Sequence, residues 1–307
     1  MKLNFLIISI LIGGIFTACK DSSQKTVPAD NPNDGTIYIS VDESFKPAIE
    51  QQILVYQSSS PNAKIIASYK SEVDCFKDLQ KDSTRMILVA RGLNKLEEDY
   101  FTTNLGFKPE DDIVAYDAVA IIVNINSTDT LFTIDKIKKL LNGKTNAPVI
   151  MDGNNATSTV RFLQDSVLRG EPFGRNVVAA NGSEAVVETV AKTPNAIGFV
   201  GLSWVGNNNE PKQQEQLKKI KLALVECVKC AEKELFAKPS QSTITFSQYP
   251  LARPLYFVLK ENYLGLGTGF KNFMNLERGQ LIFRRSFLAP AKMDFKKRGG
   301  LIKDSDN

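Results

Sequence analysis

Short apolar, β-rich runs alternate with helical patterns along most of this 307-residue sequence, and this alternation constrains its fold most strongly. Residues 36–41 (TIYISV) precede apolar residues at helical spacing from Phe45 to Tyr56, and residues 85–90 (RMILVA) precede a helical segment at 97–104. Strands that alternate with helices pack as α/β layers, mainly with parallel strands. We therefore predict an α/β protein, and its length suits about two domains.

The same patterns extend over the rest of the chain. They predict further strands at residues 64–68, 112–124, 148–151, 196–200, 220–228 and 253–260. They predict helices at residues 72–81, 132–141, 159–169, 183–192 with Ser183 as N-cap, and 270–285. The glycines of LGLGTGF (Gly265, Gly267 and Gly269) come close to a nucleotide-binding pattern, but the third glycine is misplaced, so a turn is expected.

The first 18 residues have the order of an export signal. Lys2 precedes an apolar run of 12 residues at 5–16, which is too short to span a bilayer of about 30 Å as a helix. Thr17 and Ala18 then precede Cys19, an order that resembles a bacterial lipoprotein signal. We expect lipidation at Cys19; an ordinary signal peptide in which Cys19 is incidental is the alternative.

The segment after Cys19 is polar, and residues 20–35 have almost no apolar side chain, so a flexible tether is expected there. No later segment is apolar over the 18 or so residues that a membrane-spanning helix needs. These features predict a protein of the cell envelope, held at a membrane by its lipid alone.

Composition excludes several classes of site. The sequence has no histidine, which rules out Ser-His and Cys-His nucleophiles and histidine metal ligands. Its net charge of +4 gives no reason to expect a nucleic-acid partner. Cys227 and Cys230 form a C-x-x-C at the end of a predicted strand, where a local disulfide or two inert thiols are expected. We find no metal-ligand spacing, and we expect neither a cofactor nor catalysis.

The segment DGNNATSTVR, residues 152–161, has the densest functional signal. Thr157, Ser158 and Thr159 fall in the first turn of a predicted helix, where free N–H groups and hydroxyls favour an anion. Arg161 is placed to add a charge-assisted contact. Plain helix capping remains the alternative, because Ser, Thr and Asn cap helices in general. Arg91, at the end of a buried strand, is a second candidate cation, with a solvated loop position as the alternative.

Seven segments, in this order, resemble the phosphate-binding lipoproteins of phosphate ABC transporters, within the periplasmic binding protein superfamily and closest to the variant of Bacteroidetes-type bacteria. The segments are ISVDESFKPAIE (39–50), ILVARGL (87–93), IVAYDAVAIIVN (113–124), NNATSTVRFLQDSV (154–167), AIGFVGLSWV (196–205), YPLARPLYFV (249–258) and residues 264–293, from LGLGTGF to the end of FLAPAKM. Each motif is weak alone, whereas seven in order over residues 36–293 are specific.

The resemblance implies a type II periplasmic binding fold, in which two α/β lobes are joined by two hinge strands and the ligand lies in the cleft. It implies a signal at 1–18, a lipidated tether at 19–35, a first lobe at 36–123 plus 249–307, and a second lobe at 124–248. It also implies a non-catalytic monomer that binds inorganic phosphate and delivers it to an ABC permease.

The resemblance places a set of ligand contacts on this chain. These expected ligand-binding residues are Asp42, Glu43, Ser44, Phe45, Arg91, Asp117, Ala156, Thr157, Ser158, Thr159 and Arg161. Asp42 and Glu43 depart from the family pattern, since the family's first loop is often Gly-Ser-Thr-Thr and only Ser44 keeps a hydroxyl here. A buried carboxylate that accepts the proton of phosphate would exclude sulfate, and Asp42, Glu43 and Asp117 are the candidates.

Other classes of function stay open on the sequence alone. Asp42 and Glu43 would fill the pocket of a scaffold or sensor lipoprotein that no longer transports. A receptor for another oxyanion, or for a cation drawn by Asp42 and Glu43, is a further alternative. A phosphatase on the same fold is a weaker alternative, because the sequence has no histidine and no recognisable metal cluster.

Overall fold

A computed structural model describes residues 30–153, 156–207 and 209–293. The predicted signal at 1–18, the lipidation site Cys19 and most of the predicted tether lie outside the described residues. No helix among the described residues has both the length and the apolar character needed to cross a membrane.

The described residues form alternating strands and helices, which confirms the α/β prediction. The strands are β1 Asp34–Asp42, β2 Asn62–Lys70, β3 Thr84–Val89, β4 Glu110–Asn124, β5 Leu131–Phe132, β6 Val149–Met151, β7 Val177–Ala179, β8 Ile197–Gly201, β9 Ile220–Leu222, β10 Leu224–Glu226, β11 Phe236–Ala237, β12 Ala252–Leu259 and β13 Ala289–Pro290. The helices are α1 Lys46–Ser59, α2 Glu72–Leu79, α3 Lys95–Leu105, α4 Ile134–Leu141, α5 Ser158–Leu163, α6 Gly182–Lys192, α7 Pro211–Leu217, α8 Gln241–Thr245, α9 Leu266–Asn275 and α10 Glu277–Arg285.

The main sheet has parallel wings and an antiparallel centre. Its strand order is β2-β1-β3-β12-β4-β8-β6-β7, with β9 and β13 also paired to β4. Strands β1, β2 and β3 pair in parallel, as do β6, β7 and β8, whereas β12 and β4 run antiparallel to their neighbours. The expectation of mainly parallel pairing therefore holds only in the wings, because two long strands pass between the wings in opposite directions.

The described residues form three hydrophobic clusters, two on the two faces of the sheet at one end of these long strands and one at the other end, and we name the surrounding parts the first and second lobes. In the first lobe, α1, α9 and α10 cover one face of the sheet and α2 and α3 cover the other. In the second lobe, α4, α5 and α6 pack on β4, β6 and β8. The packing changes from one core to the other within β4, between Ala115 and Ala118, and within β12, between Ala252 and Leu255. This change lies inside the strands, whereas the expected lobe boundaries lie at 123/124 and 248/249.

Several elements differ from the sequence prediction in their bounds. The predicted helix at 270–285 is two helices that meet at Leu276, and the predicted strand at 220–228 is interrupted at Ala223. Helix α6 begins at Gly182 with Asn181 as N-cap, so Ser183 lies inside its first turn. Cys227 and Cys230 are joined in a disulfide, one of the two states expected from their spacing.

The glycine segment near residue 265 holds a carboxylate of the chain itself. The Glu261 carboxylate is fully buried and accepts hydrogen bonds from the backbone N–H groups of Gly265, Gly267 and Thr268, at 2.7–3.2 Å. Arg85 donates to the same carboxylate at 2.9 Å. A Cβ atom at Gly267 would come within 2.7 Å of Glu261 Oε2, so the close approach needs glycine. The expected turn is therefore wrong, because Gly265 is the N-cap of α9 and Gly267 and Gly269 lie inside this helix, whose first N–H groups bind Glu261.

Replacement of Glu261 should be costly. Glu261→Gln leaves Arg85 with Asp30 as its remaining buried counter-charge and points amide N–H groups at other donors, so we expect a loss of about 1–3 kcal/mol in the free energy of unfolding. Thermal unfolding would measure this, with Glu188→Gln as the control, because Glu188 pairs with Lys192 on the exposed face of α6. The control should change stability by less than about 0.5 kcal/mol. Equal effects of the two substitutions would contradict the role given to Glu261.

Candidate functional site

The carboxyl ends of β1 in the first lobe and β6 in the second lobe face each other across a cleft. Asp42 ends β1, and Glu43–Phe45 follow it as a single 3₁₀ turn. Asp152 follows β6, and Thr157 caps α5 by accepting a hydrogen bond from the N–H of Val160. Polar side chains from both lobes therefore meet where strands end and helices begin.

A buried ion pair lies at the centre of this cluster. Arg253 and Asp117 are cross-strand partners on β12 and β4, and both side chains are fully buried. Nε and Nη2 of Arg253 donate to Asp117 Oδ2 at 3.0 and 2.9 Å, while Nη1 donates to Ser158 Oγ at 3.0 Å and to Thr159 Oγ1 at 3.3 Å. The guanidinium also lies 5.1 Å from the centre of the Phe45 ring. The pair therefore links both long strands to the start of α5.

The hydroxyl groups of the cluster converge on a second carboxylate, Asp152. Thr157 Oγ1 donates to Asp152 Oδ1 at 2.9 Å, and Thr159 Oγ1 and Ser44 Oγ donate to Oδ2 at 2.6 and 3.3 Å. Burial raises the pKa of Asp152, and the hydroxyl donors oppose that shift. The hydroxyl groups that were expected to bind an anionic ligand therefore bind the Asp152 carboxylate of the chain itself.

Asp42 is the carboxylate with unused hydrogen-bonding capacity. Its side chain is buried, and Oδ1 accepts a hydrogen bond from the backbone N–H of Ser44 at 2.9 Å. Oδ2 has no hydrogen-bond partner among the described residues. Burial, and next the nearby Glu72 carboxylate, raise the pKa of Asp42 from 3.8 to about 7. A buried acceptor with this pKa can exchange a proton with a ligand near neutral pH.

A cavity of about 550 Å³ lies beside these groups, between the lobes, with Asp42, Ser44, Asp152 and Thr157 in its wall. The cavity gives a small solute access to the carboxylates and hydroxyls of the cluster. It extends beyond them along both lobes.

Direct contacts join the lobes around this cavity. On one side, the Arg161 guanidinium of the second lobe binds both oxygens of the buried Glu72 carboxylate, and the backbone N–H of Val73 donates to the carbonyl of Ala156 at 3.1 Å. On the other side, the Glu43 carboxylate accepts hydrogen bonds from Ser183 Oγ and N at 2.8 and 3.2 Å.

The 3₁₀ turn Leu202–Trp204 adds two further contacts between the lobes. Ser203 Oγ donates to the carbonyl of Ser44 at 2.8 Å, and Trp204 Nε1 donates to the carbonyl of Glu43 at 3.2 Å. The lobes are therefore held together on both sides of the cavity.

The structure brings most of the expected ligand residues together, but Arg91 and Arg161 have other contacts. Arg91 binds the Glu97 carboxylate with two hydrogen bonds, and its guanidinium stacks 3.7 Å from the centre of the Phe76 ring. Neither partner belongs to the cluster. Arg161 binds Glu72, as described above. The remaining expected residues, Asp42, Glu43, Ser44, Phe45, Asp117, Ala156, Thr157, Ser158 and Thr159, lie in the cluster or along the cavity.

Two members of the cluster were not singled out from the sequence. Arg253 interrupts an apolar strand, as Asp117 does, and two opposite charges in two apolar strands are a signal of buried pairing. Asp152 opens the polar segment that contains the expected hydroxyl residues, and it is not among the expected ligand residues. The register of β4 with β12 pairs Arg253 with Asp117, and the turn after β6 brings the hydroxyl groups to Asp152.

The raised pKa of Asp42 predicts a pH-dependent stability. Between pH 4 and 7 the folded state keeps a proton on Asp42 that the unfolded chain releases, so this contribution to stability is lost as pH rises. Asp42→Asn removes the ionisation. Its Tm relative to wild type should rise by a few °C from pH 5 to pH 8 in buffer without oxyanions. A constant difference between the two proteins across that range would contradict the prediction.

The ion pair between the lobes should show coupling. Glu72→Gln and Arg161→Gln each leave a charge without its partner, so the loss for the double variant should be smaller than the sum of the two single losses, by about 1–3 kcal/mol. Urea unfolding of the four proteins measures this term. Lys138 and Glu171, an exposed pair in the second lobe, serve as the control cycle and should give less than about 1 kcal/mol. Equal coupling in both cycles would contradict a special role for Glu72 and Arg161.

Comparison with known proteins agrees with this architecture. Phosphate-binding protein PstS of Borreliella burgdorferi is 21% identical to this chain, over 94% of the chain and 99% of its own length. PstS of Staphylococcus haemolyticus is 23% identical, over 81% and 79%. PstS of Pseudomonas aeruginosa is 24% identical, over 66% of the chain and 65% of its own length.

Solved structures share the fold. One from Clostridium perfringens, assigned as a phosphate ABC transporter substrate-binding protein with bound phosphate, superposes with a TM-score of 0.69 at 20% identity, over 84% of this chain and all of its own. An ABC-type phosphate transport receptor from Vibrio cholerae superposes with a TM-score of 0.60 at 15% identity, over 83% and 100%. These likenesses confirm the expected two-lobe fold. The family model described as a PBP superfamily domain matches residues 26–276, and the chain therefore belongs to the PBP superfamily.

Proposed function

We propose that this protein is an extracytoplasmic receptor that binds inorganic phosphate in the cleft between its lobes and delivers it to an ABC permease. The names of its relatives and the bound phosphate of a structural neighbour support this function. The observation that carries it is the buried Asp42 Oδ2, which lacks a partner among the described residues and lies beside hydroxyl groups at a cavity between the lobes.

Asp42 is the proton acceptor in this proposal. Phosphate near neutral pH keeps a P–OH group, which donates to Oδ2, whereas sulfate has no proton to give and would leave two anions facing each other. The other two candidate carboxylates are engaged, since Glu43 accepts hydrogen bonds from Ser183 and Asp117 binds Arg253. Selectivity for phosphate over sulfate therefore depends on Asp42.

The other oxygens of phosphate receive hydroxyl donors and positive charge. Ser44 and Thr157 line the cavity and turn their hydroxyls from Asp152 towards the ligand. Arg253 acts from behind this layer, where it orients Ser158 and Thr159 and supplies the positive charge that a dianion needs in a site rich in carboxylates. Arg91 and Arg161, the cations expected from the sequence, have no part in ligand contact here.

The closed form is stabilised by contacts between the two lobes that are absent when the lobes are apart. Glu72 with Arg161 and Glu43 with Ser183 favour the closed arrangement, and phosphate adds contacts to both lobes. A ligand shifts the equilibrium between open and closed forms by its differential contacts, and the hinge is the pair β4 and β12. In this proposal the hinge lies where β4 and β12 pass from one core to the other, so residues 118–252 form the second lobe and the described residues on either side form the first.

The segment before residue 30 completes the proposal. Residues 1–18 direct export, Cys19 carries the lipid and the following polar residues tether the receptor to the membrane. The protein acts as a non-catalytic monomer, and the permease receives phosphate when the lobes open.

Calorimetric titration of the protein, freed of ligand by unfolding and refolding, tests this function. Wild type should bind phosphate and not sulfate. Arg253→Lys and Ser158→Ala should each weaken phosphate binding by about 10- to 100-fold. Each removes the charge-assisted hydrogen bond from Arg253 to Ser158, which orients the hydroxyl groups at the phosphate position. Asp42→Asn should lose selectivity by weakening phosphate and admitting sulfate.

Arg91→Gln is the matched control for the arginine substitution, and it should change phosphate affinity less than about twofold, since Arg91 contacts Glu97 outside the cluster. Circular dichroism of each variant separates loss of binding from loss of fold. Failure of wild type to bind any oxyanion would reject this function and leave a scaffold or sensor role.

A further inference from the structure

The cleft cavity is larger than inorganic phosphate requires. Its volume is about 550 Å³, whereas pockets for organic ligands span about 300–1,000 Å³ and one water molecule takes about 30 Å³ of liquid. Beyond Asp42 and Thr157 it continues past Tyr69 and Ser71 of the first lobe to Ala180 and Asn181 of the second. Space for additional ligand atoms therefore adjoins the proposed phosphate position.

This space belongs to the closed arrangement of the lobes. The hydrogen bond from Val73 to Ala156 and the bonds from Ser183 to Glu43 join the lobes at the borders of the cavity. These contacts fix the two walls of the cavity relative to each other.

The walls suit a short organic substituent. Ala179 and Ala180 of the second lobe have small side chains, and Tyr69 of the first lobe lines the same cavity, with Lys46 Nζ 5.4 Å from the centre of its ring. Asn181 adds a hydrogen-bonding group, whereas the Ser71 hydroxyl already binds Asp74. A substituent of a few heavy atoms would have apolar contact and at least one polar partner there.

The charged residues that line the cavity limit which substituents a ligand can carry there. Besides Asp42 and Asp152, the cavity is lined by the acidic Glu43 and Asp74 and by one basic residue, Lys70. Lys70 is already paired with the buried Asp78 carboxylate, and Asp74 is paired with Lys77. Lys46, over the Tyr69 ring, is the nearby cation that faces the three carboxylates Asp42, Glu43 and Asp152. A second anionic group on the ligand would therefore be repelled, while a neutral or ammonium-bearing group would be accepted.

We propose that the same cleft also binds small phosphonates and phosphate monoesters whose substituent is neutral or carries an ammonium group. This inference rests on the proposed function, because the phosphoryl group takes the phosphate position beside Asp42. The monoanion of such a ligand keeps one P–OH group for Asp42. The substituent replaces one phosphate oxygen and extends towards Tyr69 and Asn181.

Calorimetric titration of the ligand-free full-length protein tests the inference. The probes are inorganic phosphate, methylphosphonate, 2-aminoethylphosphonate, O-phosphoethanolamine and phosphonoacetate. We expect 2-aminoethylphosphonate or O-phosphoethanolamine to bind within about tenfold of phosphate, and phosphonoacetate to bind at least about tenfold more weakly than either. The phosphonate and monoester probes show which of the two classes the cleft prefers.

A variant that fills the cavity separates this inference from simple phosphate binding. Ala180→Trp should weaken the substituted ligands by about tenfold or more through overpacking and leave phosphate within about twofold. Val178→Trp, on an exposed position of the neighbouring strand β7, is the matched control and should change neither. Asp74→Asn should reduce the preference for the ammonium-bearing probes over methylphosphonate.

The outcomes are distinguishable. Binding of phosphate without any substituted probe, or an equal loss of all ligands in Ala180→Trp, overturns the inference and leaves the proposed function intact. Binding of substituted probes without phosphate overturns the proposed function as stated and upholds the wider ligand class. Absence of all binding rejects both.

Discussion

The buried pair of Arg253 and Asp117 is the interaction on which the rest of the site depends. Two fully buried charges are costly to desolvate, and they are tolerated only where further hydrogen bonds satisfy them. Here those bonds come from Ser158, Thr159 and the backbone N–H of Leu202, which all belong to the second lobe. The cost of the pair is thus offset by contacts that also fix the start of α5 against the two hinge strands.

Several carboxylates of the chain accept hydrogen bonds from N–H and O–H donors that would otherwise bind an external anion. Glu261 binds the N–H groups at the start of α9, Glu43 binds those at Ser183, and Asp152 collects three hydroxyls. Glu72 is neutralised by Arg161. Asp42 is the carboxylate of the cleft whose second oxygen has no such partner among the described residues. An acidic site can therefore serve an anionic ligand that brings its own proton.

Sequence patterns were most informative where local periodicity and burial coincide. The strands β1, β3 and β4 and the helix α3 were predicted within a few residues, because apolar spacing and caps are local properties. The break of α9 from α10 at Leu276, an exposed residue, has no comparable local signal. Arg91 and Arg161 were natural choices of cation beside strand ends, yet Glu97 and Glu72 bind them, and those partners lie 6 and 89 positions away in the sequence.

Residue type and spacing are local properties, and they are enough to predict the α/β class, the polar turns at the ends of β1 and β6, and the chemistry available there. The sequence also carried the resemblance through the order of seven segments. The identity of the central cation and of the carboxylate with a free oxygen follows instead from how the chain folds. These identities depend on the register of β12 with β4 and on contacts between lobes, and both join residues more than 80 positions apart, beyond the reach of any local pattern.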